Sequence, residues 1–137
     1  MNNLLVDSNI LLDLVLQDPQ WGTWSEEQLA RYGRSHVLCI NPIIYSELSI
    51  GFHHIEDVES VLEEGRLCFR SIPKEALFLA GKVFLKYRKR KGTKRCSLPD
   101  FYIGAHASVE AMPLLTRHTQ RYRTYFPRLS LIAPLST

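Results

Sequence analysis

Three carboxylates in this 137-residue sequence share one kind of neighbourhood. Asp7 closes a short apolar run, Leu4-Leu5-Val6, and precedes Ser8-Asn9 and then Ile10-Leu11-Leu12. Glu47 sits among Ile43, Ile44, Leu48 and Ile50, and Asp100 follows Ser97-Leu98-Pro99 at the head of a stretch of small residues. Grouped carboxylates repel and raise one another's pKa unless a cation is present. Hard oxygen donors suit Mg²⁺ or Mn²⁺, which keep several waters and bridge to phosphate. Gathered in one crevice, the three would support metal-assisted phosphodiester hydrolysis, with the phosphate polarised and the attacking water acidified. Each also has a structural explanation. Asp7 can cap a helix, Glu47 can be a surface residue on an apolar helix, and Asp100 can complement a helix dipole.

The elements that position these residues alternate along the chain. Leu4–Val6 is too short for a helix and lacks polar alternation, so it reads as a strand covered on both faces. Ser8 or Asn9 can cap the helix that follows, which stops before Asp18-Pro19. Ser25-Glu26-Glu27-Gln28 reads as a capping box, with Trp24 stapling onto Leu29, for a second helix running to about Gly33. Val37–Ile40 is a second buried strand. Asn41-Pro42 and Gly51 then bracket a third helix, the one carrying Glu47.

Ile55–Glu64 forms an acidic amphipathic helix, followed by a short strand at Leu67-Cys68-Phe69. From Pro73, Ala76, Leu77, Ala80, Val83, Phe84 and Tyr87 recur at helical spacing, up to Gly92. Pro99 opens a helix with Asp100 in its first turn, and the Gly and Ala content there implies close packing on a neighbour. Pro113–Leu115 is a fourth strand, a short helix passes Tyr122 and Tyr125, and Leu129–Ile132 is the last strand. This is an α/β chain, expected to be a single three-layer α/β/α domain over residues 1–137 with a central parallel sheet. Right-handed crossovers bring strand C-termini and the following helix N-termini to one edge, where Asp7, Glu47 and Asp100 would converge.

Composition narrows the class. A 45% hydrophobic fraction supplies a core without staples. Cys39, Cys68 and Cys96 are odd in number and share no CxxC spacing, so they read as reduced, mostly buried thiols of a cytoplasmic protein. No signal peptide and no run of eighteen apolar residues is present, so no membrane association is expected. The net charge of +3 hides an asymmetry, since residues 86 to 95 carry seven positive charges and no negative one. That run (Lys86, Arg88, Lys89, Arg90, Lys91, Lys94, Arg95) is either a polyanion-binding patch or a solvated helix end.

Val6-Asp7-Ser8-Asn9-Ile10-Leu11-Leu12-Asp13, Tyr45-Ser46-Glu47-Leu48, Leu98-Pro99-Asp100-Phe101-Tyr102-Ile103-Gly104-Ala105 and Leu114-Leu115-Thr116-Arg117 together resemble the PIN-domain family. Within it, the likeness is to VapC-type ribonuclease toxins of bacterial toxin–antitoxin pairs. The resemblance implies a Mg²⁺- or Mn²⁺-dependent endoribonuclease that cuts tRNA or ribosomal RNA. It also implies a homodimer, held inactive by a cognate antitoxin protein. Carried over by position, Asp7, Glu47 and Asp100 form the acidic metal site, with Ser8 and Thr116 as supporting hydroxyls. Arg88, Lys89, Arg90, Lys91, Lys94, Arg95 and Arg117 are the candidate RNA contacts.

One position departs from the pattern. Where the family commonly has an aspartate after Leu-Leu-Thr-Arg, this chain has His118, either a nitrogen ligand better suited to Mn²⁺ than Mg²⁺ or a loop residue. His118 is also what keeps a rival reading open, a catalytically inactive PIN-like module that binds RNA or protein. A flavodoxin-like phosphate site is disfavoured, because Ser8-Asn9-Ile10 stands where a Gly-rich loop would be. His53, His54 and His106 lack metal-ligand spacing.

Overall fold

The computed structural model describes residues 1–90 and 97–135. Five parallel strands form one sheet: β1 (Asn2–Val6), β2 (His36–Ile40), β3 (Cys68–Phe69), β4 (Leu114–Leu115) and β5 (Leu131–Ile132), in the order β3-β2-β1-β4-β5. Seven helices are described between them: α1 (Ser8–Val15), α2 (Gly22–Gly33), α3 (Pro42–Leu48), α4 (Ile55–Glu64), α5 (Lys74–Lys89), α6 (Leu98–Val109) and α7 (Thr119–Arg123). A 3₁₀ turn, Ser49–Gly51, extends α3. The chain builds outward from β1 through β2 to β3, then crosses back to place β4 on the other side of β1. Right-handed crossovers in that order set α1 to α4 on one face and α5 to α7 on the other, giving the three-layer α/β/α fold. The winding reverses between β1 and β4, and crevices at such a point are where open α/β sheets bind ligands.

The central strand is fully buried along Leu4, Leu5 and Val6, as its lack of polar alternation requires. Against the other face, Phe101 of α6 meets the rings of Phe84, Tyr87 and Tyr125 at centroid distances of 5.6, 5.3 and 5.4 Å. Gly104 explains the small-residue stretch. A Cβ there would collide with the Phe126 ring, so α6 can approach the segment after α7 only without a side chain at that position.

Several local expectations give way to tertiary contacts. Asp7, not Ser8 or Asn9, holds the N-cap position of α1. The Ser25 capping box does not form. Helix α2 starts at Gly22, Asp18 accepts from the Gln20 and Trp21 N–H groups, and Ser25 is buried inside the helix, donating to Asp13 Oδ2 at 2.7 Å. Cys39 is buried but Cys68 is exposed, because β3 is the sheet edge; Cys96 lies outside the described residues. Leu77, assigned to the apolar face of α5, is 43% exposed, while Ala76, Ala80 and Val83 are buried as expected. Gly92, the expected stop of that helix, also lies outside the described residues. Among the described residues no helix is long and apolar enough to cross a membrane.

Candidate active site

Asp7 leaves the end of β1 and Thr116 leaves the end of β4, the two strands that flank the reversal. Their side chains meet there. Thr116 Oγ1 donates to Asp7 Oδ2 at 2.8 Å, and Tyr122 Oη donates to the same oxygen at 2.8 Å. Asp7 Oδ1 accepts the Ser8 N–H at 2.8 Å. Asp7 is therefore both the cap of α1 and the centre of a buried polar cluster, so its two readings coexist.

Glu47 comes from α3, a helix fixed by Asn41, whose Oδ1 accepts the Ile44 N–H at 2.9 Å. Ser8 Oγ reaches across to donate to Glu47 Oε1 at 2.9 Å. Asp100 sits in the first turn of α6, where its Oδ2 accepts from Ser97 N at 3.0 Å and Ser97 Oγ at 2.9 Å. Its Oδ1 faces Tyr122 Oη at 3.5 Å and Arg121 Nη1 at 3.8 Å. All three candidate carboxylates thus share one network.

The electrostatics follow from burial. Desolvation pushes the Asp7 carboxyl above its usual range, and the Asp100 charge pushes it further, against the Thr116, Tyr122 and Ser8 donors. Glu47 is raised first by burial and then by Asp7 and Asp100, with Ser8 and Arg121 opposing. Tyr122 is raised well above the ordinary phenol value, so its proton stays on and its hydroxyl donates. Among the described residues no three His, Cys, Asp or Glu side chains already form a cluster shaped for an ion. Hydroxyl donors lie between the carboxylates instead. The donor set itself fits a hard divalent cation: oxygen ligands only, and two carboxyls whose ionised form is disfavoured by burial and mutual repulsion until a cation is present.

His118 stands at the N-cap of α7, half-buried, with its N–H donating to Thr116 Oγ1 at 3.1 Å. Burial, then Arg121 and Arg117, hold its imidazole below the usual value, against the pull of Asp100 and Asp13. Both effects favour the neutral imidazole. Arg117, a candidate RNA contact, is engaged within the chain. Its Nε and Nη2 donate to Asp13 Oδ2 and Oδ1 at 2.7 and 2.9 Å, and its guanidinium lies 5.2 Å from the centroid of the Trp21 ring. Arg88, Lys89 and Arg90 are exposed at the end of α5, and the neighbouring Tyr87 packs on Phe101, next to Asp100. Lys91, Lys94 and Arg95 lie outside the described residues. An apolar cavity of about 790 Å³ between α1, α2 and α4, lined by Leu14, Val15, Leu29 and Leu67, is remote from the carboxylates.

Tyr122, Asn9 and Asp13 join the site without being among the candidate residues of the sequence. Asn9 Nδ2 donates to Thr116 Oγ1 at 3.3 Å, and its Oδ1 accepts the Arg117 N–H at 3.1 Å, tying α1 to the loop after β4. Asp13 carried a usable signal, as an acid flanked by leucines on an apolar helix needs a buried partner. The position of Tyr122 gave none.

A model of the PIN domain matches residues 4–127. The chain belongs to the PIN-domain family. Its fold is similar to that in several solved complexes. VapBC2 of Rickettsia felis, bound to a DNA fragment from their promoter, has a TM-score of 0.75 at 19% identity, covering 96% of this chain and 98% of that one. VapBC-1 of nontypeable Haemophilus influenzae gives 0.73 at 18%, covering 96% and 97%. FitAcB of Neisseria gonorrhoeae gives 0.63 at 16%, covering 98% and 99%. No curated protein matches the sequence. At these identities the similarity carries the fold, and the PIN match carries the family.

Proposed function

We propose that this PIN-domain protein is a Mg²⁺- or Mn²⁺-dependent endoribonuclease, the VapC-type toxin of a toxin–antitoxin pair. The observation that supports it most is the convergence of Asp7, Glu47 and Asp100 on one hydroxyl-linked network at the winding reversal. These three carboxylates would hold the ion, which when bound would polarise the scissile phosphate and lower the pKa of the attacking water. Ser8 holds Glu47 by Oε1, leaving Oε2 of this half-buried carboxylate for the ion. Thr116 fixes Asp7, and the exposed end of α5 beside Phe101 supplies phosphate contacts. The structural neighbours, which include a toxin–antitoxin complex from Klebsiella pneumoniae, support a cognate antitoxin as partner. The family likeness extends the reading to a cytoplasmic homodimer that acts on tRNA or ribosomal RNA.

The direct test is RNA cleavage with Mg²⁺ or Mn²⁺ that stops on chelation and returns on adding metal back. No cleavage with either metal would leave the inactive binding module. The basic run adds a second readout. Replacing Arg88, Lys89, Arg90 and Lys91 with Gln should reduce the steepness of the salt dependence of RNA binding, by up to about 0.7 slope units per lost contact on single strands. An unchanged slope would make the run a solvated helix end.

His118→Asp should raise Mg²⁺ affinity and narrow any advantage of Mn²⁺, since it adds a hard oxygen donor beside Asp100. Because burial holds the His118 imidazole below 6.5, its protonation removes a ligand only at pH values below that, not through 6.5 itself. Metal titrations of cleavage in both proteins check this. Superimposable curves would place residue 118 outside the ion's ligands.

A further inference from the structure

Tyr122 is fully buried on the five-residue helix α7, and its hydroxyl lies inside the carboxylate cluster. Oη is 2.8 Å from Asp7 Oδ2 and 3.5 Å from Asp100 Oδ1. A phenol has one proton, and the shorter contact shows where it goes. Thr116 Oγ1 donates to the same oxygen at 2.8 Å, so both lone-pair directions of Oδ2 are taken. On Oδ1 the Ser8 N–H takes one direction, and one remains.

The backbone that carries this side chain is held independently of the hydroxyl. The Phe126 N–H donates to the Tyr122 carbonyl at 2.8 Å, and the Phe126 ring is seated where Gly104 of α6 has no Cβ. Asp100 lies in the first turn of that same helix, so the segment after α7 and the Asp100 carboxylate are tied to one element. A phenylalanine would fill the same space and leave Asp7 one donor short, with no solvent at hand to replace it.

We propose that Tyr122 is a positioning residue of the acidic site. Its hydroxyl saturates Asp7 Oδ2 and so presents Asp7 to a divalent cation through Oδ1 alone, a role that rests on the reading of the cluster as a metal site. Freed of that hydroxyl, Asp7 keeps the Thr116 donor on Oδ2 and the Ser8 N–H on Oδ1, and the vacated lone pair of Oδ2 becomes a competing acceptor.

Tyr122→Phe tests this in the full-length protein without RNA, by calorimetric titration of metal-free protein with Mn²⁺. Loss of an outer hydrogen bond to a metal ligand typically weakens affinity about 10- to 100-fold, and that loss is the expected result. In cleavage assays the variant should be slow at limiting Mn²⁺ and recover toward the wild-type rate in excess Mn²⁺, with KM for RNA unchanged. A purely structural hydroxyl would lower the melting temperature and leave Mn²⁺ affinity alone.

Wild-type binding and cleavage together with unchanged Mn²⁺ affinity in Tyr122→Phe would overturn the proposal and spare the nuclease reading. No Mn²⁺ binding by the wild type would overturn both. Should the variant not fold, wild-type protein labelled at tyrosine Cζ gives the answer. Mg²⁺ must then shift the Tyr122 resonance, and a resonance that stays put at saturating Mg²⁺ overturns the role.

Discussion

Asp7→Asn should reduce RNA cleavage by at least about a thousandfold, equivalent to roughly 4 kcal/mol of transition-state stabilisation, while the protein still folds. The Thr116 and Tyr122 hydroxyls can donate to an amide oxygen as they do to Asp7 Oδ2. The amide nitrogen then faces the Ser8 N–H, a donor against a donor, which costs about 1–3 kcal/mol. Against that cost stands the removal of a buried charge. The folded-state pKa of Asp7 is raised above 3.8, so its contribution to stability is fully present below 3.8 and is lost as pH rises through the folded value. Asparagine has no such loss. The difference in melting temperature, variant minus wild type, should therefore increase with pH across that window when a chelator is present. Added Mg²⁺ should stabilise the wild type, by about 2.7 kcal/mol at a hundred times its Kd, and leave Asp7→Asn unmoved. Thermal melts with chelator and with Mg²⁺, run beside a cleavage assay, read all of this. Wild-type cleavage in the variant would remove Asp7 from the chemistry.

What could be read before folding divides by the range of the interaction. β1 and the cap at Asn41-Pro42 are set by residues adjacent in sequence, and so is the whole span of α4; each appears where those residues indicate. Asp7 is legible because it ends a strand, Glu47 because it rides the helix after one, and Asp100 because it opens the helix leading into β4, and parallel topology brings such places together. The Ser25 motif shows the limit. It satisfies a local capping pattern, yet its hydroxyl goes to Asp13, twelve residues earlier, and Asp18 organises the start of α2 instead. Leu67-Cys68-Phe69 reads as a short strand, but nothing in three apolar residues says that the strand lies at an edge, where Cys68 and Phe69 are exposed. Tyr122 was out of reach for the same reason, since its partner is 115 residues away.

The pair between Asp13 and Arg117, 104 residues apart, should matter most for stability, and Asp13→Ala should cost about 3 kcal/mol. Asp13 is 3% exposed, and the Arg117 side chain is 18% exposed. Removing the acid leaves a largely buried guanidinium with the Trp21 face and the charge of Asp18 but no hydrogen-bonded carboxylate, and leaves the buried Ser25 hydroxyl without its acceptor. In a chain of this size the loss lowers the melting temperature by on the order of 10 °C. Replacing both members with apolar residues, Asp13→Leu with Arg117→Met, should recover part of that, because no unpaired charge then remains. The two single variants and the double form a cycle whose coupling free energy measures the pair.

The consequence for the site is positional. Arg117 follows Thr116, whose hydroxyl holds Asp7, and the Arg117 N–H is held by Asn9. Loosening the guanidinium loosens that loop, so cleavage should fall in Asp13→Ala although residue 13 is no member of the carboxylate trio. RNA binding separates this role from a direct phosphate contact. With its charge already matched by Asp13, Arg117→Met should lower the melting temperature yet leave the salt slope of RNA binding unchanged. A slope reduced by about 0.7 units would instead show that Arg117 exchanges Asp13 for phosphate when RNA is bound.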